Sequence, residues 1–159
     1  MLTGFQLKAA RGALKIPITK LAITIAINRM TLIKLEKTLD DQLIKCHTDT
    51  LFALENFFKT NSILFLDRNS VSLNIDRSIF RSRKKLTVFQ LRASRAVVNM
   101  SLNELSNTTG IKINTLFAYE QSSITDWIAI DDSNHKKLED FYKSKMIFYP
   151  EDFTICLNK

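Results

Sequence analysis

Residues 2–11 read LTGFQLKAAR and residues 86–95 read LTVFQLRASR, so seven of ten positions repeat at an offset of eighty-four. Without a gap, the same offset aligns Leu54-Glu55, Phe57 and Lys59 with Leu138-Glu139, Phe141 and Lys143, and Leu73-Asn74 with Leu157-Asn158. Self-similarity over such a span means two units of one fold. The expected division is a first repeat over 1–75, a connector over 76–84 and a second repeat over 85–159. Each repeat, at about 70 residues, is long enough for a small core.

Each copy opens on a capping box, Thr3-x-x-Gln6 and Thr87-x-x-Gln90, in which the hydroxyl caps the helix and the amide reaches back. Phe5, Ala9, Ala13 and Leu14, mirrored by Phe89, Ala93, Val97 and Val98, then follow helical spacing. Pro17 suits a helix start, and Ser101-x-x-Glu104 is another capping box. These start short helices over 18–24 and 102–108. Gly110 suits a left-handed turn, whereas Ala26 at the equivalent position is strained if φ is positive. Further helices are expected over 28–37 and 112–121, with Thr31, Leu32 and Leu35, matched by Thr115, Leu116 and Tyr119, facing inward. Others are expected over 48–60 and 132–144. The period then changes to two. Ile63, Phe65, Val71, Leu73 and Ile75 alternate around 67–70, and Ile147, Tyr149, Ile155 and Leu157 around 150–152, which predicts a β-hairpin with one buried face in each copy.

The chain is 45% hydrophobic and 25% charged, too apolar for disorder. The apolar run near Leu21–Ile27 is far short of a membrane span, and Thr3, Gln6, Lys8 and Arg11 break any apolar leader, so a protein without a membrane partner is expected. Cys46 and Cys156 are not equivalent under the offset and predict free thiols in a reducing cytoplasm. The net charge of +7 is unevenly spread: +4 over 1–75, +3 over 76–84 and zero over 85–159. Such asymmetry suits a polyanionic partner, and equally a merely solvated surface.

The stretch SLNELSNTTGIKINTLFAYE at 101–120 places Leu105 and Ser106 in one short helix, Gly110 at the turn, and Leu116 and Tyr119 in the next. It resembles the helix-turn-helix of the Cro and phage-repressor type, the lambda-repressor-like or XRE family. The opening T-x-x-Q-L-(K/R)-A-(A/S)-R is similar to that family's first helix, and the Asn61-x-Ile63-x-Phe65 and Val71-x-Leu73 hairpin is similar to a tail in some bacterial members. The resemblance covers nearly the whole chain, twice. It implies a mainly α protein of two tandem helix-turn-helix units, each ending in a short β-hairpin. It also implies a sequence-specific DNA-binding transcriptional regulator of bacterial or phage type, in the cytoplasm on the nucleoid.

In such a unit the second helix of the motif enters the major groove while the first crosses the phosphate backbone. By position, the groove-facing candidates are Asn28, Arg29, Met30, Ile33 and Lys34 in the first copy, and Lys112, Ile113, Asn114, Phe117 and Ala118 in the second. Arg29 suits guanine, Asn28 or Asn114 suits adenine, and apolar side chains suit the thymine methyl. Lys20, Lys37 and the connector's Arg77, Arg81, Arg83 and Lys84 would serve phosphates. The chain departs from the family pattern where Ile18 and Leu102 replace a polar residue, often Gln, that begins the motif. Ile33 and Phe117 are apolar on the reading face, Ile23 and Ile25 add to this, and the first copy lacks the turn glycine. An exposed apolar stripe more often marks a protein contact. The alternative is therefore a protein–protein adaptor that binds another regulator or RNA polymerase through one or both units. A third option is an architectural DNA-binding or RNA-binding role resting on charge alone. A homodimer through the hairpins or the apolar helix faces is also expected, because a terminal strand leaves an edge to pair.

No enzyme, cofactor or metal is expected. His47 and His135 are not equivalent and lack ligand partners at metal spacing. Three glycines in the whole chain make no phosphate loop. Asp40-Asp41 and Asp131-Asp132 suit helix N-termini, and Trp127 and Tyr142 suit a core or interface.

Overall fold

The computed structural model describes residues 1–79 and 85–158. The first copy runs α1 (Gly4–Ala13), α2 (Ile18–Thr24), α3 (Arg29–Glu36), α4 (Thr48–Thr60), β1 (Ile63–Leu64) and β2 (Ser70–Leu73). A 3₁₀ turn at Arg77–Ile79 follows. The second copy runs α5 (Val88–Val97), α6 (Leu102–Thr109), α7 (Ile113–Gln121), α8 (Asp132–Ser144), β3 (Ile147–Phe148) and β4 (Thr154–Leu157). The described chain is thus mainly helical with one small antiparallel sheet. None of its helices is long and apolar enough to cross a membrane.

The offset of eighty-four carries over from sequence to geometry. The isolated bridge Thr3–Leu43 recurs as Thr87–Trp127. Positive φ values recur at Lys15 and Asn99, at Ala26 and Gly110, and at Ser62 and Met146. The capping glutamines do more than cap. Gln6 Oε1 accepts from Thr3 N at 3.0 Å, while its Nε2 donates to the Asp67 and Ser70 carbonyls. Gln90 repeats this toward Thr87 N, Glu151 O and Thr154 O. Each buried amide therefore ties the start of its first helix to the turn of its own hairpin, with both ends of the group satisfied. At one buried site where the copies differ in polarity, the change is paired. Ala10 and Phe65 become Ser94 and Tyr149, whose hydroxyls bond at 3.0 Å.

The hairpins do not stand apart. They join edge to edge in the order β1-β2-β4-β3, with Val71 opposite Ile155 and Ser70 and Ser72 opposite Cys156 and Thr154. Val71 and Ile155 are equivalents, so they mark a pseudo-two-fold axis through the sheet. A second pair of equivalents meets where α1 crosses α5: a Cβ built on Gly12 would lie 2.0 Å from the Cβ of Ala96. Equivalent residues touching each other is the signature of an isologous interface, here inside one chain. The edge expected to serve a homodimer is consumed internally, leaving the two-residue strands β1 and β3 outermost.

Two expectations need correction here. All four residues of β2 are buried, so its hairpin does not present one dry and one wet face. Ser70 is engaged by Gln6 and the turn, and Ser72 by Arg77, whose Nη2 donates to Ser72 Oγ at 2.9 Å and Thr154 Oγ1 at 3.1 Å while Nη1 pairs with Glu151. Asp40 does not start a helix; it follows α3 and pairs with Lys8. Asp131 does cap α8, accepting from Asn134 N at 2.9 Å. Tyr142 is fully buried, Trp127 packs edge-on against Phe153, and both cysteines are free thiols.

Candidate nucleic-acid interface

Each short helix pair is held to its own copy's first helix by one arginine. Arg11 makes a two-pronged ion pair with Glu36 at the end of α3 and donates to the Ile16 carbonyl at 3.0 Å. Arg95 does the same with Glu120 and the Met100 carbonyl. One guanidinium thus fixes the first helix, the turn after it and the end of the outward helix, in the bidentate geometry that favours Arg over Lys. The Glu120 carboxylate raises the affinity of Arg95 for its proton. Leu32 and Leu35, with Leu116 and Tyr119, supply the buried faces of α3 and α7.

Between the paired helices the chain must turn left-handed. Gly110 takes φ 69° and Ala26 takes φ 54° at the equivalent position, so the first copy holds an alanine where glycine is favoured. The turn closes all the same: Ile27 N donates to the Ala22 carbonyl at 2.9 Å.

The outward faces then carry these residues. Lys20 on α2 is exposed. Asn28, Arg29 and Met30 begin α3 on the surface, with Lys34 and Lys37 exposed further along. Asn28 is the N-cap, and its Oδ1 accepts from Met30 N at 2.7 Å. Its amide nitrogen remains free to meet a base. Lys112, in the same position on α7, makes no cap bond. Asn114 and Ala118 are exposed, as are Ile113 and Phe117 at 38% and 54%. Lys20, Arg29, Lys34, Lys37 and Lys112 form no ion pair among the described residues.

Several expected placements change. Thr31, read as inward, is exposed, because helix geometry gives that face to Leu32 and Leu35. Ile33 is half-buried in a cleft with Ile18, Leu39 and Lys8. Ile18 and Leu102 pack against the core, so neither belongs to an exposed apolar stripe; Ile23, Met30, Ile113 and Phe117 are the exposed ones. Arg77 is engaged as a clasp on the sheet, while Arg81, Arg83 and Lys84 lie outside the described residues.

Comparison with family models, with curated proteins and with solved structures returns no match. The surface itself therefore carries the functional reading. Among the described residues no group of three or more His, Cys, Asp or Glu side chains is placed to hold a metal ion.

Sequence reasoning missed two features. The Arg–Glu pairs were legible in principle, since Arg11 with Arg95 and Glu36 with Glu120 both repeat at the offset. The second is a contact between copies. Lys15 Nζ donates to the Glu120 carbonyl at 2.8 Å, beside Arg92 Nε at 3.1 Å on the same oxygen. Burial and the neighbouring Arg92 lower the pKa of Lys15. No repeat signal marks this contact, because Asn99 occupies the position equivalent to Lys15.

Proposed function

We propose that this protein binds double-stranded DNA as a transcriptional regulator, with α3 and α7 each entering the major groove in the manner of a tandem, lambda-repressor-like helix-turn-helix. The observation that carries the reading is the pseudo-two-fold axis through Val71/Ile155 and Gly12/Ala96, which relates two outward helices anchored by the same Arg–Glu pair. Two-fold related reading helices match half-sites spaced roughly 34 Å apart, one duplex turn, or a multiple of it. The charge is suitably placed. Over 18–37 the cations Lys20, Arg29, Lys34 and Lys37 stand against one carboxylate, Glu36, which Arg11 neutralises.

The test is fluorescence anisotropy of the full chain on duplexes from its own upstream region across a salt series. With Lys20, Lys34, Lys37 and Lys112 on phosphates, the slope of log affinity against log salt is expected to be about −4. Replacing Lys34 and Lys37 by Ala should flatten it by about 2. No binding at low salt, or a flat salt response, would reject the proposal.

A second reading, a protein adaptor, draws on Ile113 and Phe117, exposed four residues apart on α7. There Phe117→Asp would abolish capture of a regulator or polymerase subunit and leave the DNA shift intact. The reverse result removes this reading.

A further inference from the structure

Two-fold symmetry in the scaffold invites the assumption of a palindromic target, and the outward faces argue against it. On the buried side of the paired helices, Leu32 and Glu36 recur as Leu116 and Glu120. Among the exposed positions of 28–37, only Thr31 has an identical counterpart. Arg29 faces the position of Ile113, Lys34 that of Ala118, and Lys37 that of Gln121. The scaffold is thus retained while nearly every residue able to touch a base or phosphate differs. A homodimer reads an inverted repeat because its two helices are the same, and here they are not.

We infer that the two halves of this chain read unlike half-sites, so that its DNA target is not a palindrome: the α3 face takes a guanine beneath Arg29, and the α7 face takes a thymine-bearing half-site through Ile113 and Phe117. The inference rests on the DNA-binding function proposed above. Arg29 carries a free bidentate donor in the first turn of α3, the geometry suited to guanine O6 and N7. Ile113 and Phe117 offer no hydrogen bond, and the thymine C5-methyl is the apolar group of the major groove. The halves also differ in grip. The α2–α3 segment presents four exposed cations, whereas the α6–α7 segment presents one, Lys112, together with the exposed carboxylate Glu104. The first half anchors on phosphates and the second adds base discrimination with little charge.

The experiment is selection of bound duplexes from a random pool with the full chain, followed by affinity measurements on the winning site. Two unlike motifs at fixed spacing are expected. Arg29→Ala should weaken binding roughly ten- to a hundred-fold on the intact site, and much less once the first motif's guanine pair is exchanged. Replacing thymine by uracil in the second motif removes the methyl alone. It should cost the native protein several-fold and the Phe117→Ala variant nothing further. An enriched inverted repeat would overturn the unlike half-sites and leave DNA reading in place. A single motif, or indifference to uracil, would overturn the role given to α7. Absence of binding to any duplex would remove the proposed function with it.

Discussion

Tyr142 is fully buried, yet among the described residues its hydroxyl has no hydrogen-bond partner, and burial pushes its pKa well up. The other copy holds Phe58 at this position, equally buried. An unpaired buried hydroxyl costs free energy that the phenyl ring avoids. Tyr142→Phe should therefore stabilise the fold by about 1 kcal/mol, read as a higher urea midpoint with an unchanged m-value. A lower midpoint would mean that the hydroxyl is satisfied after all. The turn residues offer a reciprocal test. Left-handed φ costs an L-residue roughly 1 kcal/mol, and glycine gives part of that back through its freer unfolded state. A Cβ on Gly110 would meet nothing within 4 Å, so Gly110→Ala reports the backbone cost alone. It should destabilise by about 1 kcal/mol, and Ala26→Gly should stabilise by a few tenths up to about 1 kcal/mol. Equal signs for the two exchanges in chemical denaturation would contradict the φ values.

Among the elements, α6 is the one whose stability depends most visibly on a single exposed carboxylate. Glu104 accepts from Ser101 N and from Ser101 Oγ, both at 2.7 Å, while Ser101 Oγ accepts from Glu104 N. The backbone hydrogen bond holds the Glu104 carboxyl below its ordinary pKa. A depressed folded pKa contributes stability that is present above the unfolded value and is lost as pH falls through the folded one. The melting temperature should therefore fall on acidification from pH 6 to pH 3. Glu104→Gln, whose amide oxygen still accepts from Ser101 N, should remove Glu104's share of that fall. Superimposable pH profiles for the two proteins would show that ionisation of Glu104 contributes nothing. Capping boxes join residues three apart, which is why they were legible in the sequence; so were the bounds of α2, α4 and α8. The Arg11–Glu36 pair spans twenty-five residues and leaves no local periodicity. The apolar face was misjudged for a related reason. Ile18 and Leu102 look exposed when a helix is read alone, and they are covered once each pair packs on its first helix. Burial of all of β2 was likewise invisible, because it depends on Arg77 and on the other copy's strand.

At the scale of the whole molecule, the two copies pack on each other as the subunits of a two-fold dimer would, and the axis contact is where their side chains differ. At the crossing, Gly12 leaves room for the methyl of Ala96; a Cβ there would also sit 3.2 Å from the Arg92 carbonyl. Gly12→Ala should push α1 from α5 and cost roughly 1–3 kcal/mol, the usual range for overpacking. The same geometry predicts how separated halves would pair. Two copies of 1–79 bring Gly12 against Gly12, which is open. Two copies of 85–159 bring Ala96 against Ala96, the crowded arrangement that Gly12→Ala creates. A mixture gives the native pair and also restores the bond from Lys15 to the Glu120 carbonyl, which 85–159 paired with itself cannot form because Asn99 stands in place of Lys15. Sedimentation should then show the mixed halves associating more tightly than 85–159 alone, with Gly12→Ala in the first half narrowing the difference to what the Lys15 bond contributes. Strong self-association of 85–159 would mean that the crossing tolerates two methyls, and that the asymmetry at the axis does not select the pairing of unlike halves.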